Sequence, residues 1–226
     1  MWRSAVQESG FAAIPGILAD SEVEFLLEAL ALQPLERTKA GIRHALSHKC
    51  VAELARDTRL LEIAHGILGN EAFPFRATLF DKSPAANWLV VWHQDTALPL
   101  RARRETPGWG PWSVKKGVTY AHAPASAIEQ ILALRVHLDN STSDNGPLRV
   151  LPGTHTLGVL TEEKLHEVSK TVSPFECLVP KGGVLAMRPL LVHASSKSDT
   201  QAPRRVLHIE YAASTNVADG LELAIA

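Results

Sequence analysis

Apolar positions recur at helical spacing in the first third of the chain and alternate with polar ones through most of the remainder, so helices come first and strands follow. Gly10 to Leu18 reads as a short strand closed by Pro15 and Gly16. Behind it, Val23, Leu26, Leu27 and Leu30 share one helical face, with Asp20 or Ser21 as the expected cap. Glu22 and Glu24 fall in that helix's first turn, where negative charge complements the dipole. From Val51 to Leu68 the apolar positions fit one or two further helices, stopped by Gly69-Asn70. The polar, basic segment 35–49 between them reads as a solvated loop, the alternative being a loop lying over a site.

Strand patterns begin at Phe75 to Lys82, turn through 83–87 and resume from Trp88 to His93. Ile131 to Asp139 alternates most regularly: Leu132, Leu134, Val136 and Leu138 lie on one face, and Arg135, His137 and Asp139 on the other. The first face is core, and the second meets solvent or a polar cavity. Ser143-Asp144-Asn145-Gly146-Pro147 carries an Asn-Gly hairpin signal, and Leu148 to Leu151 returns as a strand. Residues 158–170 read as an exposed helix, and 171–179, 183–188 and 204–212 as the closing strands. Helices segregated at the N-terminus before many antiparallel strands predict a mainly β fold: a jelly-roll, cupin-like barrel with the helices packed outside. Residues 1–226 are expected to form a single domain.

Residues 97–127 interrupt this regularity with prolines, glycines and two tryptophans, Trp109 and Trp112. Long loops inside compact domains are functional or disordered, and the aromatics argue against disorder. The segment reads as a lid or pocket wall, with Arg101, Arg103 and Arg104 as anion-binding groups that Glu105 could partly neutralise. The competing reading is a surface loop whose tryptophans cover one end of the core.

Composition adds exclusions. With 23 basic and 24 acidic side chains the net charge is −1, so nothing electrostatic points to nucleic acid or an anionic membrane. The N-terminus lacks an apolar signal core, and no run suits a membrane span. Cys50 and Cys177 lie far apart in no metal or redox spacing, which predicts reduced thiols and a cytoplasmic setting.

The candidate chemistry sits at strand ends. In Trp92-His93-Gln94-Asp95, an imidazole and a carboxylate two residues apart share one face of an extended chain. An apolar run from Gly183 reads as one strand ending in His193, and eleven residues later Arg204 opens another. Two histidines and one carboxylate form the facial triad that binds Fe(II) and leaves positions open for oxygen and an oxo-acid. Arg204 would then clamp an anion. His44, His48, His65 and His166 read as surface or locally bonded groups, His208 as core, and His137 as a further pocket candidate; His155 lies in the Pro-Gly-Thr-His turn.

Four stretches in order resemble the phytanoyl-CoA dioxygenase family of Fe(II)/2-oxoglutarate oxygenases: Gly10-Phe11 with Ile14-Pro15-Gly16-Ile17-Leu18, Trp92-His93-Gln94-Asp95, Asn145 to His155, and the His193 to Arg204 spacing. The resemblance implies a double-stranded β-helix in which His93, Asp95 and His193 hold iron. It implies that Arg204, with Ser195 beside it, binds the distal carboxylate of 2-oxoglutarate; Arg205 is the other arginine to consider. Arg135 falls where the family places a cosubstrate-contacting side chain, commonly aromatic. A small-molecule substrate and molecular oxygen are implied, with ascorbate as supporting reductant. Since halogenating relatives lack the carboxylate, Asp95 points to hydroxylation, with desaturation or ring formation as other outcomes. The alternatives from other classes are a cupin-like isomerase and a catalytically silent jelly-roll binding protein.

Overall fold

The structure, a computed structural model, describes residues 1–33, 41–83 and 86–225. Residues 35–40 of the basic segment and residues 84–85 of the turn at 83–87 lie outside the described residues. In chain order the strands are β1 (Phe11–Ile14), β2 (Ile42–Arg43), β3 (Phe73–Lys82), β4 (Val90–His93), β5 (Ala97–Leu100), β6 (Trp112–Lys115), β7 (Val118–His122) and β8 (Ile131–His137). They continue with β9 (Leu148–Val150), β10 (Phe175–Cys177), β11 (Val184–Met187), β12 (His193–Ser195), β13 (Arg204–Ala212), β14 (Asn216–Ala218) and β15 (Leu221–Glu222). The helices are α1 (Trp2–Glu8), α2 (Asp20–Ala31), α3 (Lys49–Leu54), α4 (Thr58–Leu68), α5 (Ala125–Ile128) and α6 (Glu162–Thr171).

Two antiparallel sheets form the body, one in the order β1-β11-β8-β13-β3-β2 and the other β10-β9-β12-β4. From β3 to β13 the chain crosses between them repeatedly: β3, β8, β11 and β13 belong to the larger sheet, and β4, β9, β10 and β12 to the smaller. That winding is the jelly roll. The outer face of the larger sheet, with Leu134, Val136, Leu207, Ile209 and Tyr211, packs with Val23, Leu26, Leu60 and Ile63 of α2 and α4 in one apolar cluster. Tyr211 satisfies its buried hydroxyl by donating to the Ala55 carbonyl at 2.8 Å. Between the sheets, Ala133, Leu185 and Met187 pack against Leu148, Val150 and Cys177. Cys50 and Cys177 are both free thiols. Among the described residues no helix is long and apolar enough to cross a membrane.

Local chemistry changes several sequence expectations. The cap of α2 is Ala19, one residue early; with no side-chain acceptor there, the Glu22 carboxylate reaches back to accept the Ala19 N–H at 2.8 Å. The run from Gly183 to His193 is two strands: β11 ends at Met187 in the larger sheet, a turn closed by Leu191 N–H on the Arg188 carbonyl follows, and β12 begins in the smaller sheet. Helix α6 extends to Thr171, so the strand expected from 171 is confined to Phe175–Cys177. Asn145-Gly146 does not close a hairpin, because β8 and β9 lie in different sheets. Gly146 is nevertheless required there: φ is +67°, and a Cβ would stand 2.4 Å from the Ser196 carbonyl oxygen. Residues 97–127 are not a loop. They contain the three-stranded sheet β5-β7-β6 and α5, and Trp109 packs with Leu98, Leu100, Ile128 and Leu221 in a second core.

Candidate metal centre and its cavity

The distance in sequence between the candidate ligands vanishes across the smaller sheet, where His193 of β12 lies directly opposite His93 of β4. Directly opposed residues bring their side chains within contact range, and here the two imidazole rings lie 4.2 Å apart. Asp95 follows β4, its N–H donating to the Pro189 carbonyl at 3.0 Å, and its carboxylate turns toward both rings. Asp95 Oδ1 is 3.8 Å from His93 Nε2, and Oδ2 is 3.5 Å from His193 Nε2. One ligand atom from each residue falls within 4.8 Å of the others. Gln94, between the ligands, donates to the Gly158 and Leu190 carbonyls and accepts from the Leu160 N–H, pinning the turn on which both ligands stand.

The tautomers suit a metal. His93 Nδ1 is 2.9 Å from the Val91 carbonyl and His193 Nδ1 is 2.8 Å from that of Leu191. A carbonyl only accepts, so Nδ1 carries the proton in each ring and the Nε2 lone pairs point at the shared centre. Burial pulls His193 down to about 4, with His93 adding to the shift, which keeps its imidazole neutral and able to donate electrons. Burial would raise the Asp95 carboxyl, but His193 and His93 outweigh it and hold the group below its ordinary value. Two neutral imidazoles and one carboxylate fit a divalent ion that keeps further positions for exchangeable ligands.

The centre opens into a cavity of about 370 Å³ lined by both sheets. Alternation along β13 aims Arg204, His208 and Glu210 into it, while Leu207, Ile209 and Tyr211 face the helices. Arg205 points away and is held by Asp139, whose carboxylate accepts from its backbone N–H and from Nε, both at 2.8 Å, and from Nη2 at 2.7 Å. Arg204 therefore faces the cavity with its charge unspent. Its Nε donates to the Asn145 carbonyl at 3.1 Å and its Nη2 lies 3.4 Å from Ser195 Oγ. Ser195 Oγ donates in turn to the Gly146 carbonyl at 2.9 Å. The Asn-Gly turn is thus a brace for Arg204 and Ser195.

Lys82 was not singled out in the sequence. It pairs with Arg204 across β3 and β13, is 1% exposed, and donates to Ser195 Oγ at 2.8 Å and to the Ser196 carbonyl. Burial, reinforced by Arg204 and Arg135, pulls its amine down to about 7. The alternation Arg76, Thr78, Phe80, Lys82 on the cavity face was the available signal. Arg135 completes the group on β8, stacked on the Phe80 ring and 3.2 Å from His208 Nδ1, its buried Nε without a partner. Three cations thus meet beside the metal centre, and among the described residues none has a carboxylate partner. That is a fit for a dianionic cosubstrate.

Other expectations divide. His208 is buried but also lines the cavity, whereas buried His137 does not line it and leaves both ring nitrogens unpartnered. His44, expected to be a surface or locally bonded group, lines the cavity and reaches the Tyr120 hydroxyl at 3.2 Å. His65 and His155 bond the Ala72 and Gln7 carbonyls, and His166 is exposed. From the 97–127 segment, Ala97, Lys115, Tyr120 and His122 line the cavity. Its expected basic cluster does not: Arg101 pairs with Glu222, Arg103 with Glu105, and Arg104 lies over Gly220.

Two histidines and a carboxylate that could hold a divalent metal, with unengaged cations in the same cavity of a jelly roll, fit the class of metal-dependent oxygenases that take an anionic cosubstrate. The comparisons supply the family. Residues 6–206 match the phytanoyl-CoA dioxygenase family, and the chain belongs to it. L-proline trans-4-hydroxylase of Streptomyces griseoviridis is 24% identical, over 92% of this chain and 84% of its own. Ectoine dioxygenase of Sphingopyxis alaskensis is 24% identical, over 94% of this chain and 75% of its own. The crystal structure of EctD from S. alaskensis with 2-oxoglutarate and 5-hydroxyectoine superposes with a TM-score of 0.71 at 22% identity, covering 93% of this chain and 74% of that one.

Proposed function

We propose that this chain is a non-haem Fe(II)/2-oxoglutarate-dependent dioxygenase that hydroxylates a small molecule, releasing succinate and CO2. The observation that carries the reading is the juxtaposition of His93, Asp95 and His193 with the buried cations Arg204, Lys82 and Arg135 in one cavity. Family membership and the similarity to proline and ectoine oxygenases support it. When bound, iron and 2-oxoglutarate supply the oxidising chemistry: O2 is split, one oxygen atom goes into succinate and the other into a C–H bond of the substrate.

The protein's share is position and charge. His93 and His193 offer neutral Nε2 donors, and Asp95 keeps the carboxylate in place, which favours hydroxylation over halogenation. The Arg204 guanidinium offers a planar, permanently charged fork to the distal carboxylate of 2-oxoglutarate, where lysine alone would offer a point charge. Ser195 holds that fork from one side and also accepts from Lys82, which adds a second positive charge beside it. Arg135, lying over Phe80, contributes positive potential beneath the cosubstrate. The β5-β7-β6 sheet forms the substrate wall through Tyr120, Lys115 and His122. A cytoplasmic setting fits the two free thiols.

The test is 2-oxoglutarate turnover. Purified protein with Fe(II), ascorbate and O2 is expected to release succinate, more so with a substrate. Chelation should stop it, and re-addition of Fe(II) should restore it. Isomerisation of a substrate without succinate release would return the chain to the metal-binding isomerase reading, and no metal-dependent binding of 2-oxoglutarate to the silent-binding one.

A further inference from the structure

The cavity holds more positive charge than metal and cosubstrate account for. Among its lining residues are the cations Arg43, Arg76, Lys82, Lys115, Arg135 and Arg204, and the carboxylates Asp95 and Glu210. Asp95 belongs to the metal, and Glu210 is spent on Arg76, which it meets through both carboxylate oxygens. Arg204, Lys82 and Arg135 face the cosubstrate. Arg43 and Lys115 remain. Among the described residues neither has a carboxylate partner, and Lys115 lies with its amine 5.0 Å from the Tyr120 ring centroid.

These two cations share a place. Arg43 pairs with Thr78 across β2 and β3, and neighbouring His44 meets the Tyr120 hydroxyl on β7. Lys115 stands on β6, in the same small sheet as Tyr120. Burial lowers the Lys115 amine, and Arg43 and Arg76 lower it further, so these charges lie close enough to act on one another. The location is also separate from the cosubstrate end. Arg43 stands opposite Thr78 of β3, and Lys82 ends the same strand; at about 3.3 Å per residue, Thr78 and Lys82 stand roughly 13 Å apart along it. The metal ligands open into the same cavity.

Half-buried cations without counter-charges repel each other and focus positive potential on the part of the cavity that they line. A hydroxyl and an imidazole beside them add hydrogen-bond donors. We propose that the substrate is a small molecule carrying an oxyanion, a carboxylate or a phosphate, and that Arg43 and Lys115, with His44 and Tyr120, form its receptor. This rests on the dioxygenase reading, since the cosubstrate is what occupies the other cations. Size points the same way: about 370 Å³ lies near the low end of ligand pockets and is shared with 2-oxoglutarate.

The test needs no knowledge of the substrate. Protein loaded with redox-silent Mn(II) and saturating 2-oxoglutarate is titrated with three fluorinated probes, and paramagnetic broadening is read by fluorine NMR. The probes are trifluoroacetate for a carboxylate, fluorophosphate for a phosphate and trifluoroethanol as the neutral control. At least one anion should be broadened saturably, at least three-fold more than the alcohol, and the stronger of the two names the oxyanion. Arg43→Gln combined with Lys115→Gln should weaken that anion about ten-fold, with 2-oxoglutarate affinity within two-fold of wild type as the check on folding. Equal broadening of anions and alcohol, or an unchanged anion affinity in the double variant, overturns the receptor. Mn(II) uptake and 2-oxoglutarate binding are measured on the same wild-type sample. Their absence overturns the dioxygenase reading, whereas normal uptake without anion preference overturns only the receptor. Should the double variant misfold, Lys115→Gln alone is expected to weaken the anion about three-fold, and an unchanged affinity there also counts against the receptor.

Discussion

The two ends of the cavity gather cations with different architecture. Arg204, Lys82 and Arg135 stand on central strands of the larger sheet, and both Arg204 and Lys82 touch Ser195 of the smaller. Arg43 and Lys115 stand on a two-residue edge strand and on the edge strand of the added sheet, and both are half-buried. Fixed cations suit a ligand that never changes, because no reorganisation is needed when it arrives. Cations on peripheral elements can vary from relative to relative without disturbing the barrel. On the two readings proposed above, the roll carries the metal and cosubstrate, and the peripheral strands carry the choice of substrate.

The largest expected effect removes the point that both ends serve. His193→Ala should lower divalent-metal affinity by more than about 100-fold, since even losing a hydrogen-bond partner behind a ligand costs 10–100-fold. Calorimetric titration with Mn(II) measures it, and succinate release should vanish in parallel. Stoichiometric metal at unchanged affinity would remove His193 from the centre.

Next is the fork. Arg204→Lys keeps a charge but loses the two-pronged geometry, and charge-assisted hydrogen bonds contribute about 1.5–3 kcal/mol each. The Kd for 2-oxoglutarate should rise about 10–100-fold while Mn(II) affinity stays put. Loss of both together would mean that Arg204 supports the metal site rather than the cosubstrate.

Lys82 sharpens the comparison through pH, because its buried amine titrates near 7. Below that value the amine is charged and attracts 2-oxoglutarate; above it the attraction fades, so affinity should fall several-fold as pH rises from about 6 to 8.5. Lys82→Met should abolish that slope and hold the weaker affinity throughout. The stability sign is opposite in the free protein. Between about 7 and the ordinary 10.5 the unfolded chain binds the extra proton, so stability rises with pH across that window. A pH slope for 2-oxoglutarate that survives Lys82→Met would assign it to another group.

How much of this the sequence disclosed depends on range. Period-two alternation is local, and it correctly placed Arg135 opposite the core face of β8 and Arg204 at the start of β13. Lys82 and Glu210 obey the same alternation and were open to the same reasoning, but a lone lysine ending an apolar strand looks like ordinary solvation. The exchange of β11 for β12 between Met187 and His193 was hidden, because an uninterrupted apolar run looks alike whether one sheet or two receives it. The added sheet was hidden for a different reason. Its strands are short and flanked by prolines and glycines that signal turns, and its core comes from distant segments, including Val217 and Leu221. Arg101, Arg103 and Arg104 look like a binding cluster in sequence, yet the partner of the first, Glu222, and the glycine over which the last lies, Gly220, are more than a hundred residues away.

The smallest expected effect comes from the arginine beside the fork. Arg205 adjoins Arg204, and on charge alone either could bind a carboxylate. Alternation sends them to opposite faces of β13, and Asp139 engages both the backbone and the guanidinium of Arg205. The pair is partly exposed, its side chains at 30% and 18%, so water screens it and its contribution to stability is limited to about 1 kcal/mol. Arg205→Gln should therefore lower Tm by about 2–4 °C, the shift expected for that loss in a domain of this size. Affinity for 2-oxoglutarate should change less than two-fold, because the lost charge is already neutralised and lies outside the cavity. A ten-fold loss of 2-oxoglutarate affinity in Arg205→Gln, with Arg204→Lys silent, would exchange the roles of the two arginines and place the cosubstrate on the other face of the strand.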